Sequence, residues 1–499
     1  MKKIFSTFSA LAIAALSMFT VSCSSDEIIV SEPQQSAEEQ IYRISIPASL
    51  GEGSRAVRFD DGNKKSSTLP TCNGVFVEKE EVYVYNVTKG HLLSGNLITS
   101  NISEDGKSCV LTGELTGTIE KGDELKLFYN MHDVRYEEYD EDPTESGFCF
   151  NSQDGTKAGV LDGAETTVMV GDFVNGNLTT TGDASFHLLQ SMFRFQFKDE
   201  KNKTFRLKSL KLKSRNKALV GRYYPLETGY DEQNSCSDYE ISLPNATYRF
   251  IYAAIRFNEN KVKDDMIKFF AYDEDGNLYK GTKNAPKDGF KNGMYYYNMS
   301  AINLTKFPLT KPKIEWKNVK DKDYMDGTYG DYYYSVYSPN NGKPIEFGIS
   351  ENCNGYGFYV SSNSIIHLKD LTAIMFEKNI NRFIWTIADM NLDINGENSI
   401  ICDKDGDDAI PVKCGGNLKL SGNGALTVTS YNAEKCGVWG SNNYNTKDKQ
   451  SINYNNCENT DELDVSTQLA AEGYTVIRSA RKDNADGTYT WTYTVKPKK

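Results

Sequence analysis

Apolar and polar residues alternate with a period of two in the part of the chain that begins at residue 41. Tyr42, Ile44, Ile46 and Ala48 alternate with polar neighbours, and such a period predicts a strand with one buried face. The alternation recurs in later runs, at 82–85, 125–128, 193–197, 205–212 and 294–297. Turn sequences such as that at 273–276 separate these runs, which favours short antiparallel strands. We therefore expect an all-β chain with two tandem antiparallel sandwiches, over 41–199 and 200–307.

A second period, of 26 residues, appears nearer the C-terminus. Apolar residues recur at this spacing in five columns: Ile366, Leu392 and Leu418; Leu368, Ile394 and Leu420; Ile374, Ile400 and Leu426; Phe376, Cys402 and Val428; Phe358, Ile384 and Ile410. Three short strands in each repeat meet the requirement of a parallel β-helix, whose coils stack their inward residues on one another. We predict a short right-handed parallel β-helix within 313–499, with coils over 357–440. A short helix within 461–471 and a hairpin of 474–478 and 489–495 are expected to cap its end.

The residues between the inward positions should point outward. His367, Asp393 and Lys419 would form a mixed, solvated column. A second outward column would contain Tyr359, Trp385, Pro411 and Trp439, with Asn442, Asn443 and Tyr444 beside it. Coils stack about 4.8 Å apart, so a flat aromatic stripe of this kind could stack on sugar rings. The alternative is that the stripe is covered by the chain's own tail or by the neighbouring sandwich.

Composition and charge restrict the class of function. The 499 residues carry a net charge of −12, which argues against a nucleic-acid-binding surface. The 4 His residues are far apart in sequence, which excludes zinc motifs built on His pairs. No nucleophile-elbow or Walker motif is present, and Arg382 is the only arginine in the predicted coils. We therefore expect no catalytic residues and no enzyme, although some β-helices are polysaccharide lyases.

Two groups of residues leave alternatives open. The run at 403–408 is rich in aspartate and could hold Ca²⁺, but its EF-hand pattern is incomplete and a solvated turn is the simpler interpretation. No metal site or cofactor is therefore assigned. Among the 10 cysteines, most are expected to be buried thiols. Cys402, Cys414 and Cys436 are near enough in sequence for one pair to form a disulfide.

The N-terminus resembles a bacterial lipoprotein signal. Lys2 and Lys3 precede an apolar stretch over 4–21, and a small residue, Ser22, precedes Cys23. The resemblance implies a signal peptide over 1–22, lipid attachment at Cys23 and anchoring to the outer membrane as a surface-exposed lipoprotein. Residues 23–40 would be a flexible tether. An ordinary cleaved signal with an incidental cysteine is the alternative.

Three features together resemble the fimbrillins, the subunits of the type V pili of Bacteroidales. These are the lipoprotein signal, the alternating strand followed by Gly53-Ser54-Arg55-Ala56, and the closing phrase at 290–297 that leads into 298–304. The run at 186–193 resembles the strand that closes the first fimbrillin domain. The resemblance covers residues 1–307 and implies sandwiches of the transthyretin-like type.

In that family a trypsin-like protease cuts after an arginine behind the first strand. The resemblance places the cut after Arg55, with Arg43 as the alternative. Other pilus subunits would then fill the vacated groove by β-strand complementation. Residues 308–499 follow the second sandwich, which favours a tip adhesin whose partner is a host or bacterial surface glycan or protein. The alternatives are a stand-alone surface glycan-binding lipoprotein and, less favoured, a lyase-like β-helix enzyme.

Overall fold

The computed structural model describes residues 40–51, 57–60, 71–129, 148–157, 163–175, 177–224, 238–247, 250–296, 299–318, 332–336, 343–376, 382–402, 410–431, 436–441, 444–445, 450–451 and 461–499. The described chain is all-β, as the sequence predicts, and its helical content is one four-residue helix. Among the described residues, no helix has the length and apolar character needed to cross a membrane.

The N-terminal part of the chain forms one large sheet with small additions. Its strands are β1 (Ile41–Leu50), β2 (Val57–Asp60), β3 (Thr71–Gly74), β4 (Glu81–Asn86), β5 (His91–Leu92), β6 (Leu97–Ser100), β7 (Ser108–Thr116), β8 (Glu124–Tyr129), β9 (Phe148–Cys149), β10 (Ser152–Gln153), β11 (Ala164–Val174), β12 (Asn177–Thr181) and β13 (Ala184–Leu188). Pairing runs from β7 through β6, β4 and β8 to β11, and then through β12 and β13 to β1. Because β1 also pairs with β7, the sheet closes on itself.

The second set of strands forms a sandwich. They are β14 (Ser191–Phe195), β15 (Phe197–Lys198), β16 (Leu207–Ser214), β17 (Arg222–Tyr223), β18 (Tyr239–Thr247), β19 (Ile251–Ile255), β20 (Met266–Tyr272), β21 (Leu278–Asn284), β22 (Tyr295–Tyr296), β23 (Ile302–Asn303) and β24 (Thr305–Phe307). A six-stranded sheet has the order β10-β18-β16-β20-β21-β24, and a three-stranded sheet has the order β19-β14-β22.

The boundary expected between residues 199 and 200 does not coincide with the change of sheet. Strand β14 pairs with β19, and β15 pairs with β23, so the strands from Ser191 onward join partners later in the chain. One hydrophobic core runs without a break from Tyr42 to Leu304. The expected division of residues 41–499 into three domains stays a prediction.

The C-terminal part stacks parallel strands. Its strands are β25 (Lys313–Trp316), β26 (Tyr333–Val336), β27 (Ile345–Asn354), β28 (Gly357–Val360), β29 (Ser364–Met375), β30 (Ile384–Thr386), β31 (Met390–Cys402), β32 (Val412–Cys414), β33 (Leu418–Ser430) and β34 (Val438–Gly440). Strands β27, β29, β31 and β33 pair in parallel in one sheet, and β26, β28, β30, β32 and β34 pair in parallel in another. We call this arrangement the coil stack. Its right-handed winding stays a prediction.

A cap follows the last coil. Its elements are β35 (Tyr444–Asn445), β36 (Gln450–Ser451), β37 (Leu463–Asp464), α1 (Ser466–Leu469), β38 (Tyr474–Arg478), β39 (Lys482–Asp483) and β40 (Tyr489–Pro497). Strand β40 runs antiparallel to β33 and to β38, so the expected hairpin covers the end strand of the longer sheet. The helix is shorter than the sequence suggests because β37 occupies part of the expected range.

Each coil contains one long bent strand and one short strand, rather than three short strands, and its length varies. Ile366 pairs with Leu392, 26 residues on, but Leu392 pairs with Leu420, 28 residues on. One extra residue lies at the bend between Asn395 and Ser399, where the register with β29 shifts. A second lies before Val412, which pairs with Ile384. Two added residues keep the same side chains facing inward, because the period of a strand is two.

The changed register corrects several expected columns. Leu420 rather than Leu418 stacks on Leu392, and Val412 rather than Ile410 stacks on Ile384. After the bend, the inward residues of β29 include Ala373 and Met375, which pair with Ile400 and Cys402. The expected inward residues Ile374 and Phe376 face outward instead. They are buried against the six-stranded sheet, in a cluster with Phe270, Tyr272 and Leu278.

The cysteines also differ from expectation. Cys436 is disulfide-bonded, whereas Cys402 and Cys414 remain thiols. The expected pair among these three cysteines is therefore not formed. The Cys414 thiol instead lies 3.1 Å from the carbonyl oxygen of Ala388, within the coil stack.

The register can be tested with engineered cysteines on the outer face of the long strands. Asn391 pairs directly with Lys419, so their Cα atoms lie about 4.8 Å apart, within reach of a disulfide. We expect Asn391→Cys with Lys419→Cys to cross-link under mild oxidation, as detected by mass spectrometry of the digested protein. The matched pair Asp393→Cys with Lys419→Cys follows the 26-residue spacing and should stay reduced. Cross-linking of the second pair but not the first would contradict the register.

Candidate functional site

Strand β1 occupies a position that few first strands occupy, because both of its edges are paired. Along one edge, residues 41–49 run antiparallel to residues 116–108 of β7. Along the other edge, Arg43 and Ile44 pair in parallel with β12, and residues 48–50 pair in parallel with β13. The backbone N–H of Gly51 also donates to the carbonyl of Phe186 at 2.9 Å. Removal of β1 would therefore leave two unpaired strand edges that face each other.

The side chains of β1 alternate between the core and solvent as the sequence predicts. Tyr42, Ile44, Ile46 and Ala48 are buried in the core of the first sheet. The Tyr42 hydroxyl donates to the carbonyl of Ile119 at 3.3 Å, and its ring lies 5.5 Å from that of Phe173. Ala48 is opposite Cys109 on one side and Ala184 on the other, so small residues surround that position. Four adjacent buried positions are thus held by one removable segment.

The two arginines expected near the cleavage site are placed differently. Arg43 lies inside β1, and its Nε is 3.0 Å from Glu114 Oε1, with both side chains more than half exposed. An exposed ion pair of this kind contributes roughly 0–1 kcal/mol, so it adds little to the hold on β1. Arg55 and Cys23 lie outside the described residues, as do Asn442, Asn443 and the aspartate-rich run at 403–408. Within the described residues, no group of His, Cys, Asp and Glu is arranged to hold a metal ion.

The aromatic column on the short strands is only partly continuous. Tyr359 pairs with Trp385, and their ring centroids are 4.8 Å apart in an edge-to-face arrangement. Lys413, not Pro411, occupies the next coil, and Trp439 follows it. The two-residue change of register explains the correction, because it moves Pro411 out of the column. The backbone of Tyr444 lies in β35, and its side chain is not described.

Cations accompany both tryptophans. The Arg382 guanidinium carbon lies 4.5 Å from the Trp385 ring centroid, and the Lys413 ammonium lies 5.6 Å from that of Trp439. Tyr359 is only 7% exposed, whereas both tryptophans are half-buried. The accessible part of the column is therefore an alternation of indole and cationic side chains, a combination suited to rings that carry negative charge. Sequence reasoning noted Arg382 but not its place, since the register sets it.

The other outward column forms a hydrogen-bonded chain across four strands. His367 Nδ1 lies 2.7 Å from Asp393 Oδ2, and Nε2 lies 2.9 Å from Glu346 Oε1. Ser421, rather than the expected Lys419, is the next member, and its hydroxyl donates to Asp393 at 3.1 Å. The hydrogen bond to His367 is the main reason that the pKa of Glu346 lies below its ordinary value, with Lys317 adding to the effect. These contacts tie successive coils together and satisfy one another, so we assign them a structural role.

Comparisons with known proteins give little beyond this geometry. No family model matches the chain, and no curated protein matches it. Among solved structures, a candidate cell adhesion protein from Bacteroides uniformis ATCC 8492 is similar over 55% of this chain and 98% of its own, with 9% identity and a TM-score of 0.30. A candidate cell adhesion protein from Bacteroides eggerthii DSM 20697 is similar over 50% of this chain and 81% of its own, with 7% identity and a TM-score of 0.21. Likeness at this level carries no conclusion about the function of the chain.

Proposed function

We propose that the chain is the precursor of a surface-anchored pilus subunit, assembled by strand exchange, with the coil stack as its ligand-binding end. The observation that carries the proposal is the double pairing of β1. A segment that fills a groove by main-chain hydrogen bonds on both sides and by alternate buried side chains has the form of a strand added by β-augmentation. The described part of β1 ends at Gly51, four residues before Arg55.

The energetics support a stable exchange product. Tyr42, Ile44 and Ile46 each contribute about 1.5–3 kcal/mol on burial, and each main-chain hydrogen bond adds roughly 1 kcal/mol net. These terms far exceed the contribution of the exposed Arg43–Glu114 pair. An incoming strand with the same alternation would therefore recover most of what removal of β1 loses. Cleavage makes the exchange irreversible once the freed segment diffuses away.

The position in the pilus follows from what lies after the second sandwich. Strand β24 ends at Phe307 and β25 begins at Lys313, so the chain continues directly into the coil stack. Ile374 and Phe376 pack on Phe270 and Tyr272 at this junction. A subunit with this C-terminal end has no spare terminal strand to donate, which favours a place at the tip. In this proposal the chain has no catalytic role, and a lipid on Cys23 holds the precursor at the outer membrane.

A stand-alone glycan-binding lipoprotein is the second candidate. The observation that favours it is that β1 already completes the first sheet within the same chain. A protein that never polymerises needs no partner strand. In that case residues 41–51 would remain in place throughout the life of the molecule, and the aromatic column would be the only functional surface of the two.

Limited proteolysis tests the strand-exchange proposal. We expect a trypsin-like protease to release the segment that ends at Arg55, and the trimmed chain to form a complex with a purified stalk subunit, as measured by mass spectrometry and gel filtration. Arg55→Gln should block both steps. Arg43→Gln is the matched control and should be trimmed normally, because Arg43 is inside a fully paired strand. A trimmed chain that forms no complex would contradict the proposal, as would retention of residues 23–55.

A glycan array with the full chain tests the aromatic column. Each aromatic contact is worth about 0.5–1.5 kcal/mol, so Trp385→Ala and Trp439→Ala should each weaken binding roughly two- to tenfold. Trp316→Ala is the control, because Trp316 belongs to β25 on the other sheet. Circular dichroism should confirm that all three variants fold. Unchanged affinity in both column variants would reject the column as the ligand site.

A further inference from the structure

A small cleft lies where the second sandwich meets the cap of the coil stack. Strands β20, β21 and β24 form its floor, and Asp486, in the turn before β40, forms part of its rim. Its volume is about 190 Å³, which corresponds to roughly six molecules of liquid water. The cleft therefore has room for one small ring-shaped ligand. It lies on the sandwich rather than on the aromatic column of the coils.

The charges in the cleft favour an anion. Lys268 is only 4% exposed; its ammonium lies 3.4 Å from Asp486 Oδ2 and donates to the Tyr431 hydroxyl. Burial opposes ionisation of Asp486, but the Thr488 hydrogen bond and the Lys268 charge outweigh it and keep its pKa below the ordinary value. Two lysines and one aspartate line the cleft, so their net charge is +1. This local excess stands out in a chain with a net charge of −12.

The uncharged groups suit a hydroxylated ring. The Lys280 ammonium lies 5.7 Å from the ring centroids of both Phe270 and Phe307. Phe270 is opposite Lys280 in the sheet, and Thr282 is opposite Lys268, so cationic, aromatic and hydroxyl side chains alternate over the floor. Apolar surface with a few polar groups is the usual make-up of a small-molecule site. Aromatic surface can contact the C–H groups of a sugar ring, while Thr282 and Asp486 can bond its hydroxyls.

We propose that this cleft binds one acidic sugar unit of the hexuronate type, with its carboxylate at Lys280 and its hydroxyls toward Thr282 and Asp486. A single carboxylate would neutralise the net positive charge of the lining side chains. The inference goes beyond pilus assembly and beyond the aromatic column, since it assigns a ligand class to a surface of the second sandwich. It does not depend on β1, and cleavage at Arg55 would leave it unchanged.

Ligand titration with the full chain tests the proposal. Sodium D-glucuronate is the probe, and D-glucose and sodium acetate are the comparison ligands, with binding followed by saturation-transfer NMR. A hydrogen bond to a charged group is strong enough to change affinity about tenfold. We therefore expect glucuronate to bind at least about tenfold more tightly than either comparison ligand. Equal binding of acetate would show an anion site without sugar recognition and would overturn the assignment, as would absence of glucuronate binding.

Two lysine variants on β21 locate the site. Lys280→Gln should weaken glucuronate binding about tenfold or more. Lys283→Gln removes the same charge from the same strand, but Lys283 is opposite Ile267 on the other face of the sheet, and binding should change less than about twofold. Equal effects of the two variants would overturn the assignment. If Lys280→Gln does not fold, the exposed Thr282→Val variant decides: weaker binding supports the site, and unchanged binding rejects it.

Discussion

The main-chain pairing of β1 on both of its edges is the constraint on which the N-terminal half of the structure depends. Strand β7 on one side and strands β12 and β13 on the other would each present an unpaired edge without it. Unpaired edges and an exposed apolar groove are unfavourable in water. The same strand is the first ordered segment after the N-terminal residues that the sequence assigns to a signal and tether. A structural closure and a proteolytically accessible position therefore coincide.

The coil stack depends on a different constraint, the even parity of its register. Successive coils differ in length by two residues at Val412 and again at Val438, yet inward residues remain inward. An odd change would have turned every later side chain to the opposite face. At the bend of β31 a change of one residue does occur, and there the parity of the following half-strand is reversed relative to the repeat. That reversal turns Ile374 and Phe376 toward the second sandwich and fixes the coil stack to it.

The sequence predicted the strand parity well and the register less well. In β1, the alternation of Tyr42 to Ala48 matched the buried face residue for residue, because a strand with one solvated side records its burial directly. In the coils, the repeat predicted parallel stacking, but apolar residues two apart fit a spacing of 26 or 28 equally. Ile374 and Phe376 were expected in the coil interior because burial at an interface between two parts of the chain leaves the same apolar signature as burial in a core. The seam cleft at Lys268 and Lys280 could not be predicted, since its residues meet only when sandwich and cap are in contact.

Hydrogen–deuterium exchange on the trimmed chain tests most directly whether β1 is the element that closes the first sheet. After cleavage at Arg55 and removal of the N-terminal fragment, the account predicts fast exchange in β7 (Ser108–Thr116) and β13 (Ala184–Leu188), with β8 (Glu124–Tyr129) still protected between β4 and β11. Addition of a synthetic peptide of residues 41–50 should restore protection in β7 and β13. Unchanged protection of both strands after removal of β1, or loss of protection throughout the sheet that the peptide does not reverse, would contradict the account.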